Sequence, residues 1–315
     1  MSYFLISAAH KSSGKTTVSI GLTAALRERQ LKVQTFKKGP DYIDPLWLSA
    51  ASGRPCRNLD FFTMPREEVE HTFAQAMAGA DLGLIEGNMG LYDGLDLDGS
   101  NSNAALAALL QAPVIVVVDV RGMTRGIAPL IQGYQAFDRS IGIAGVILNK
   151  VAGSRHEAKL RRVMEHYTDV PVIGAVHSAP ELVIDERHLG LVPSNEAGAA
   201  GEKIRALGRV LADQIDLPQI LRIAETAPPV CPAPPTAAGQ PDIRGGSVRV
   251  GYPRDRAFGF YYPGDLEKMA AAGAELVAFD TLSDQQLPEV DGLFLGGGFP
   301  ETAMEQLQAN ESLRR

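Results

Sequence analysis

Tyr3-Phe-Leu-Ile-Ser-Ala-Ala-His-Lys-Ser-Ser-Gly-Lys-Thr-Thr17 decides the fold of this chain. An apolar run enters a loop of small residues, Gly14-Lys15-Thr16-Thr17 follows, and a helical pattern then runs from 18 to 29. Strand, loop and helix in that order, with Gly-Lys-Thr at the helix start, are the parts of a phosphate-binding loop. Backbone N–H groups at the helix N-terminus point at phosphate, the lysine neutralises β- and γ-phosphate charge, and the threonine hydroxyl reaches Mg²⁺. Ser12, Ser13, Gly14, Lys15, Thr16 and Thr17 are therefore the candidate ATP-binding residues. The strict pattern asks for glycine at position 9, where this chain has Ala9, preceded by Ala8. Alanine serves there only with a negative φ.

Working outward, apolar runs at 4–8, 33–37, 82–86, 114–120, 144–149 and 172–176 alternate with helical patterns at 16–29, 66–78, 102–110, 126–137, 156–166 and 201–215. This alternation predicts βαβ units and a doubly wound α/β fold with a mostly parallel sheet. Val114-Ile-Val-Val-Val118 has the continuous apolar character of a central parallel strand. Between 225 and 246 the composition changes: Pro228, Pro229, Pro232, Pro234, Pro235 and Pro241 fall among Ala, Gly and Thr. That stretch reads as a semi-rigid linker. Beyond it the pattern restarts, with strands at 248–252, 275–279 and 292–295, a helix at 266–272, and Gly296-Gly297-Gly298. The expected division is a first domain over 1–224, a linker over 225–246, and a small second α/β domain over 247–315.

Composition bounds the function classes. A chain of 315 residues is too long for one core and implies two domains. Apolar residues at 45% and charged residues at 21% fit a globular protein. No apolar run reaches the roughly 18–20 residues of a membrane span, and the apolar N-terminus lacks the basic flank of a signal peptide. A net charge of −7 argues against general nucleic-acid binding. Two cysteines, Cys56 and Cys231, make neither a disulfide framework nor a metal site, and a reducing cytoplasm is the simplest setting.

Ligands of open α/β sheets bind at the carboxyl ends of the strands, and polar clusters recur at those ends here. The second strand runs into Lys37-Lys38-Gly39-Pro40-Asp41-Tyr42-Ile43-Asp44-Pro45. This is a nucleotide- and substrate-facing loop, with a lysine by the transferring phosphate and an aspartate by Mg²⁺, or else a surface turn with a helix N-cap at Asp44. The run 82–86 ends in Glu86, an acid at an apolar strand tip beside the phosphate loop, where a carboxylate holds Mg²⁺ directly or through water. Asp93, between Tyr92 and Gly94, can reach metal or substrate. Asp119 meets Arg121 and Arg125 in an ion pair or a functional role. Asn149, at the tip of the fifth run, can offer its amide to an adenine edge. His188 is a candidate site residue or a packed one, and His10 caps the phosphate loop. Cys56 lies between Arg54 and Arg57, which can lower its pKa, but no base partner accompanies it.

Taken together, Gly14-Lys-Thr-Thr17, Phe36-Lys-Lys-Gly-Pro-Asp-Tyr-Ile-Asp-Pro45, Arg57-Asn-Leu-Asp60, Glu86-Gly-Asn-Met-Gly-Leu-Tyr-Asp-Gly94, Arg187-His-Leu-Gly-Leu-Val-Pro193 and Ala257-Phe-Gly-Phe-Tyr-Tyr-Pro263 resemble the cobyrinic acid a,c-diamide synthases. The siroheme amidases look like the same family. The resemblance implies ATP- and glutamine-dependent amidation, a first domain like dethiobiotin synthetase and a second like class I glutamine amidotransferases. It implies that Lys15, Lys37 and Asp44 serve catalysis, that Thr16, Asp41, Asp44 and Glu86 form the Mg²⁺ site, and that Asp41, Tyr42, Tyr92, Asp93 and Arg57 face a tetrapyrrole carboxylate substrate. Gly297 and Gly298 then belong to a glycine turn of the oxyanion-hole type. The family's glutaminase nucleophile is a cysteine beyond that turn, with a histidine later still. Neither Cys56 nor Cys231 fits it, so the expectation is a chain truncated within the glutaminase domain, using ATP and ammonia but not hydrolysing glutamine.

The expected reaction is phosphorylation of a peripheral carboxylate followed by displacement of phosphate by ammonia. Lys37, Lys38, Arg54 and Arg57 would gather around the anionic substrate. No nucleic acid or membrane partner is expected, and a homodimer is compatible with the reading. The alternatives are a ParA/MinD-like switch ATPase and a non-catalytic remnant that only binds nucleotide or tetrapyrrole. The first wants a further lysine five residues before Lys15, where this chain has His10 with Lys11 one residue off.

Overall fold

Strand formation follows the apolar runs. In a computed structural model, which describes residues 1–184, 186–187, 190–194, 199–230 and 247–314, the six runs of the first domain and one further short strand pair in parallel. The strands are β1 (Ser2–Ala8), β2 (Val33–Lys38), β3 (Arg57–Leu59), β4 (Leu82–Glu86), β5 (Val114–Asp119), β6 (Ile143–Val151) and β7 (Val172–His177). Their order is β3-β2-β4-β1-β5-β6-β7. The crossovers are α1 (Lys15–Glu28), α2 (Ile43–Ser52), α3 (Arg66–Met77), α4 (Asn103–Leu110), α5 (Ile127–Phe137) and α6 (Ser154–Tyr167). A two-stranded β8 (Glu186–Arg187) and β9 (Gly190–Leu191) follows, then α7 (Ala200–Gln214) and α8 (Leu217–Ala224). The described residues fall into two compact units, and every element from β1 to α8 belongs to the larger.

Helices cover both faces of the large sheet, which is why β5 is buried along its whole length. On one face Phe4, Ile6 and Val33 pack with Val18 and Leu22 of α1 and Leu211 of α7. On the other, Leu5, Phe36 and Val116 pack with Phe73 of α3, Leu106 of α4 and Leu160 of α6. The two layers leave the carboxyl ends of β1, β2, β4, β5 and β6 along one edge. No helix among the described residues is long and apolar enough to cross a membrane.

Several elements depart from the sequence reading. The loop expected over 37–45 ends at Tyr42, because α2 already begins at Ile43 and Asp44 lies inside it rather than capping it. Pro45 lies in its first turn, where a missing N–H costs nothing, and Asp41, one residue before the N-cap position, satisfies the first N–H groups: its Oδ1 accepts from Ile43 at 2.9 Å and from Asp44 at 3.1 Å. β3 is only three residues long and carries no period-two signature of its own. α8 begins after Asp216, whose carboxylate accepts from the N–H of Gln219 at 2.9 Å. Of the expected linker, 231–246 lies outside the described residues.

The smaller unit contains β10 (Val248–Pro253), β11 (Phe258–Phe260), α9 (Pro263–Ala271), β12 (Ala274–Phe279), β13 (Gly292–Leu293), β14 (Gly297–Gly298) and α10 (Met304–Ala309). β12, β10 and β13 form a parallel sheet, and β11 pairs with β14 antiparallel. α9 starts three residues before the expected 266 because Pro263 suits a first helical position.

Candidate functional site

The phosphate loop spans the gap between Ala8 and Lys15, and its shape is set from β6. Ala9 keeps a negative φ, as required, and the left-handed conformations fall at Ser12 (φ 64°) and Gly14 (φ 88°). Asn149 Nδ2 donates to the Ser13 carbonyl at 2.8 Å, while its Oδ1 accepts from the Lys150 N–H at 2.9 Å. Lys150, itself at φ 59°, donates from Nζ to the Ser12 carbonyl and to Asp119 Oδ2, both at 3.0 Å. With two successive carbonyls turned toward β6, the planar trans peptides aim the N–H groups of Ser13 and Gly14 the other way. A loop of inward N–H groups at a helix N-terminus is the geometry that accepts phosphate oxygens. Inside the loop, Ser13 Oγ donates to the His10 carbonyl at 2.7 Å, and His10 Nδ1 lies 2.6 Å from the Lys11 carbonyl. Thr17 follows in the first turn of α1, half-buried. Asn149, expected at an adenine edge, has both ends of its amide on backbone groups.

Beside the loop lies a buried charge cluster. The parallel register puts Ile6, Lys37 and Glu86 abreast at the strand tips. Lys37 Nζ stands 2.5 Å from Asp44 Oδ2, 3.0 Å from Glu86 Oε1 and 3.6 Å from Asp41 Oδ2. The Thr16 hydroxyl reaches Glu86 Oε1 at 2.7 Å and Asp44 Oδ2 at 3.1 Å. Lys15 Nζ donates to the Met89 carbonyl at 2.6 Å. Burial opposes charge on Lys37, but Asp44, Glu86 and Asp41 outweigh it and hold its pKa well above the ordinary lysine value. Burial also dominates Glu86, lifting its carboxyl to about 7 against the pull of Lys37. Asp44 is buried as well, yet Lys37 and Thr16 keep its pKa below the ordinary range, while burial raises Asp41. Lys15 is lowered to about 8 by burial and then by the like charge of Lys37. Lys37, expected beside the transferred phosphate, is thus engaged by three carboxylates.

Among the described residues no three carboxylate, imidazole or thiol groups stand as a metal cage by themselves. Here the carboxylates converge on an ammonium. A magnesium ion bound with nucleotide needs only one or two protein oxygens, with phosphates and water supplying the rest. Thr16 Oγ1, Asp44 and Glu86 fit that demand, and Glu86 Oε2 is buried with no hydrogen-bond partner.

The segment after β4 wraps over the strand tips. Asn103, at the start of α4, accepts from the N–H of Asn88 at 3.1 Å through Oδ1. Its Nδ2 donates to Ser7 Oγ at 3.1 Å, to the Gly90 carbonyl at 2.8 Å and to the Asn88 carbonyl. Asp93 Oδ2 accepts from the Gly90 N–H at 3.0 Å and acts on Lys15 through its charge. Tyr92 donates to the Tyr134 carbonyl at 2.5 Å, and Tyr134 donates to the Ala9 carbonyl at 2.8 Å, tying this segment to the phosphate loop. Asn103 and Tyr134 escaped the sequence reading. The available signal was a buried asparagine opening an otherwise apolar run, Asn103-Ala-Ala-Leu-Ala-Ala-Leu-Leu110.

The remaining expected residues are scattered. Tyr42 is the N-cap position of α2, 37% exposed. Arg57 opens β3, its backbone opposite Phe36. Arg54 does not join the anion-binding group. Its side chain donates to Gln34 Oε1 at 2.9 Å and to the carbonyls of Ala76 and Ala78 at 3.4 and 3.3 Å, so it braces the end of α3. Cys56 is not activated by its neighbours, because full burial pushes its thiol pKa up. Arg121 pairs with Asp119 at 2.8 Å, but Arg125 instead stacks over Tyr167 at 5.1 Å from the ring centroid. His188 and Cys231 lie outside the described residues.

In the small unit, Gly297 and Gly298 are strand residues rather than a turn. Gly298 pairs with Phe258, and Gly297 with Phe260. A Cβ on Gly298 would overlap the Ala257 carbonyl oxygen, so only glycine permits this approach. The Gly296 N–H donates to Tyr261 Oη at 3.0 Å.

Residues 5–191 match the family described as the CobQ/CobB/MinD/ParA nucleotide binding domain, and residues 249–315 match the CobB/CobQ-like glutamine amidotransferase domain. A cobyrinate a,c-diamide synthase of Magnetococcus marinus is 51% identical over 310 residues, covering 98% of this chain and 66% of that protein. Cobyrinate a,c-diamide synthases of Methanosarcina acetivorans and Syntrophotalea carbinolica are 43% and 42% identical, with 65% and 68% of their lengths covered. The chain belongs to the cobyrinate a,c-diamide synthase family. It spans about two thirds of the length of these curated relatives. Its α/β phosphate-loop unit is the family's nucleotide-binding domain, and the small parallel-sheet unit lies within the match to the amidotransferase domain.

Proposed function

We propose that this chain carries out the ATP-dependent step of a cobyrinate a,c-diamide synthase, the conversion of two peripheral carboxylates of a corrin-type tetrapyrrole to amides. One observation carries the reading. The phosphate loop, the Thr16 hydroxyl and the carboxylates of Asp44 and Glu86 meet within hydrogen-bond distance at one set of strand tips.

The reaction balances in two steps. A substrate carboxylate oxygen bonds to the γ-phosphorus of ATP as the bond to the ADP oxygen breaks, giving an acyl phosphate. The nitrogen of ammonia then attacks the acyl carbon, the bond to the phosphate oxygen breaks, and the proton lost by nitrogen ends on the departing phosphate. Little covalent work falls to side chains, so positioning and charge neutralisation dominate. The N–H groups of Ser13 and Gly14 receive phosphate oxygens. Lys15 leaves the Met89 carbonyl to meet the β- and γ-phosphates. Lys37, kept charged by its carboxylates, fixes the orientation of Asp44 and Glu86. Thr16, Asp44 and Glu86 would hold magnesium, which when bound neutralises charge on the phosphates. Asp93, Tyr92, Tyr42, Asp41 and Arg57 are the residues that the family resemblance assigns to the tetrapyrrole.

The nitrogen source for these residues is ammonia. Glutamine hydrolysis needs a thiolate beside a general base, and residues 247–315 contain neither cysteine nor histidine. The test is incubation of the chain with cobyrinic acid, ATP, magnesium and either ammonium or glutamine, following amides by mass and glutamate by release. Amide formation with ammonium, without glutamate release from glutamine, is expected. Glutamate release abolished in Cys56→Ala or Cys231→Ser would reveal an unrecognised nucleophile. Absence of amide with ammonium would overturn the reading.

A further inference from the structure

Lys38 follows Lys37 at the tip of β2, yet it serves the other face of the sheet. Side chains alternate along a strand. Val33, on the Lys37 side, packs with Val18 and Leu22 of α1. Phe36, on the Lys38 side, packs against Phe73 of α3 with ring centroids 4.8 Å apart. Lys38 is 6% exposed, and among the described residues its ammonium has neither a hydrogen bond nor an ion pair. Asp60 is the one acid whose charge acts on it. The Asp60 carboxylate is already committed to its own turn, accepting from the Phe62 N–H at 3.1 Å and from Thr63 Oγ1 at 3.3 Å.

The Lys38 stem is covered, but Nζ is not fully enclosed, so the side chain ends in an unpaired ammonium open to solvent. It sits at the carboxyl end of a parallel strand, the edge where ligands bind. A covered stem that holds one open, unpaired charge at that edge presents it to an anionic group of a ligand. Phosphate is already provided for on the α1 face by the loop and Lys15. A single ammonium with an aspartate close by suits a singly charged group better than a phosphate dianion. We propose that Lys38 binds a carboxylate of the polycarboxylate substrate other than the one being amidated. Lys37 then orients the carboxylates beside the phosphate loop while Lys38, on the other face of the same strand tip, holds the rigid ring at a second point and selects which rim carboxylate meets the γ-phosphate. The inference rests on the function proposed above.

Lys38→Met keeps the apolar stem and removes the charge, and Lys38→Arg keeps the charge. Equilibrium binding of cobyrinic acid and of its fully methyl-esterified form would be measured alongside amidation with ammonium and thermal unfolding. Lys38→Met is expected to raise Kd and KM for the acid about ten- to a hundredfold, the scale of one charge-assisted hydrogen bond. Binding of the ester and KM for ATP should stay at parental values, Tm should hold or rise, and Lys38→Arg should recover most of the loss. Acid affinity within about twofold of the parent, the scale of a surface substitution, would overturn the inference. So would equal loss of acid and ester affinity with a lowered Tm, which marks a structural role. A parent that amidates normally while Lys38→Met keeps its affinity sinks this inference alone, whereas a parent that binds no tetrapyrrole sinks the proposed function with it.

Discussion

The phosphate loop and the segment around Gly296–Gly298 both depend on glycine, but they are built on different plans. Gly14 is needed for its conformation, at φ 88°, and it sits among buried charge. Gly298 has no such conformation and is needed for closeness, since the Ala257 carbonyl fills the place of a side chain. Its surroundings are aromatic: Phe260 and Phe299 stack edge to face at 5.3 Å, and Tyr252 and Tyr261 at 5.5 Å. Conformational need arises where backbone N–H groups must converge on a ligand. Packing need arises where two strands must meet. The first is a sign of chemistry and the second a sign of architecture.

Substitutions can break this contrast. Lys15→Ala should lower ATP-dependent amidation by about a hundredfold or more, because a charge aimed at the transition state is worth roughly 3–4 kcal/mol. Its Tm should stay near the parent's, since the lysine is buried and disfavoured there. Turnover within about tenfold of the parent, under 1.4 kcal/mol, would remove the loop from the chemistry. Glu86→Gln should come next, lowering turnover by about tenfold or more while ATP affinity falls less, since the amide keeps the shape but loses the charge that attracts the cation. Equal loss of both would show that Glu86 serves nucleotide binding instead.

Gly298→Ala should do the converse, destabilising the small unit by about 1–3 kcal/mol through forced overlap. The readout is an early thermal transition, with ammonium-dependent turnover close to the parent's. A loss of turnover as large as that of Lys15→Ala would erase the distinction. The smallest expected effect is that of Lys150→Met, a rise in KM for ATP of about three- to tenfold as the Ser12 carbonyl loses one charged hydrogen bond. That effect should be flat from pH 6 to 9. Burial works against charge on Asp119, but hydrogen bonds from Arg121 and Lys150 outweigh it and hold the carboxyl at about 2. A depressed carboxyl contributes fully above its ordinary pKa and is lost only as pH falls toward the depressed value. A KM ratio that drifts across the neutral range would assign the clamp to another group.

Much of the large unit was legible because its signals are local. The Gly-Lys-Thr start, the apolar run ending in Glu86 and the dense Lys37–Asp44 loop each announce themselves, and the structure brings Thr16, Lys37, Asp44 and Glu86 together. What stayed hidden depends on partners distant in sequence. Asn103 joins β1 to the segment after β4 only once both strands are paired. α2 was obscured because Gly39, Pro40 and Pro45 punctuate turns as readily as they start helices. β14 was obscured because glycine has no strand preference, and its ladder is imposed by Phe258 and Phe260.

Gly14 and Asn149 carry a consequence for how such sequences can diverge. A left-handed backbone alone would admit asparagine or aspartate at position 14. The bar comes from across the sheet, since a Cβ at 14 would fall on Asn149 Nδ2, the same atom that holds the Ser13 carbonyl. Shrinking residue 149 would open room for a side chain at 14 and release the carbonyl in the same stroke. The two positions are therefore sterically coupled, and a side chain at 14 requires a change at 149.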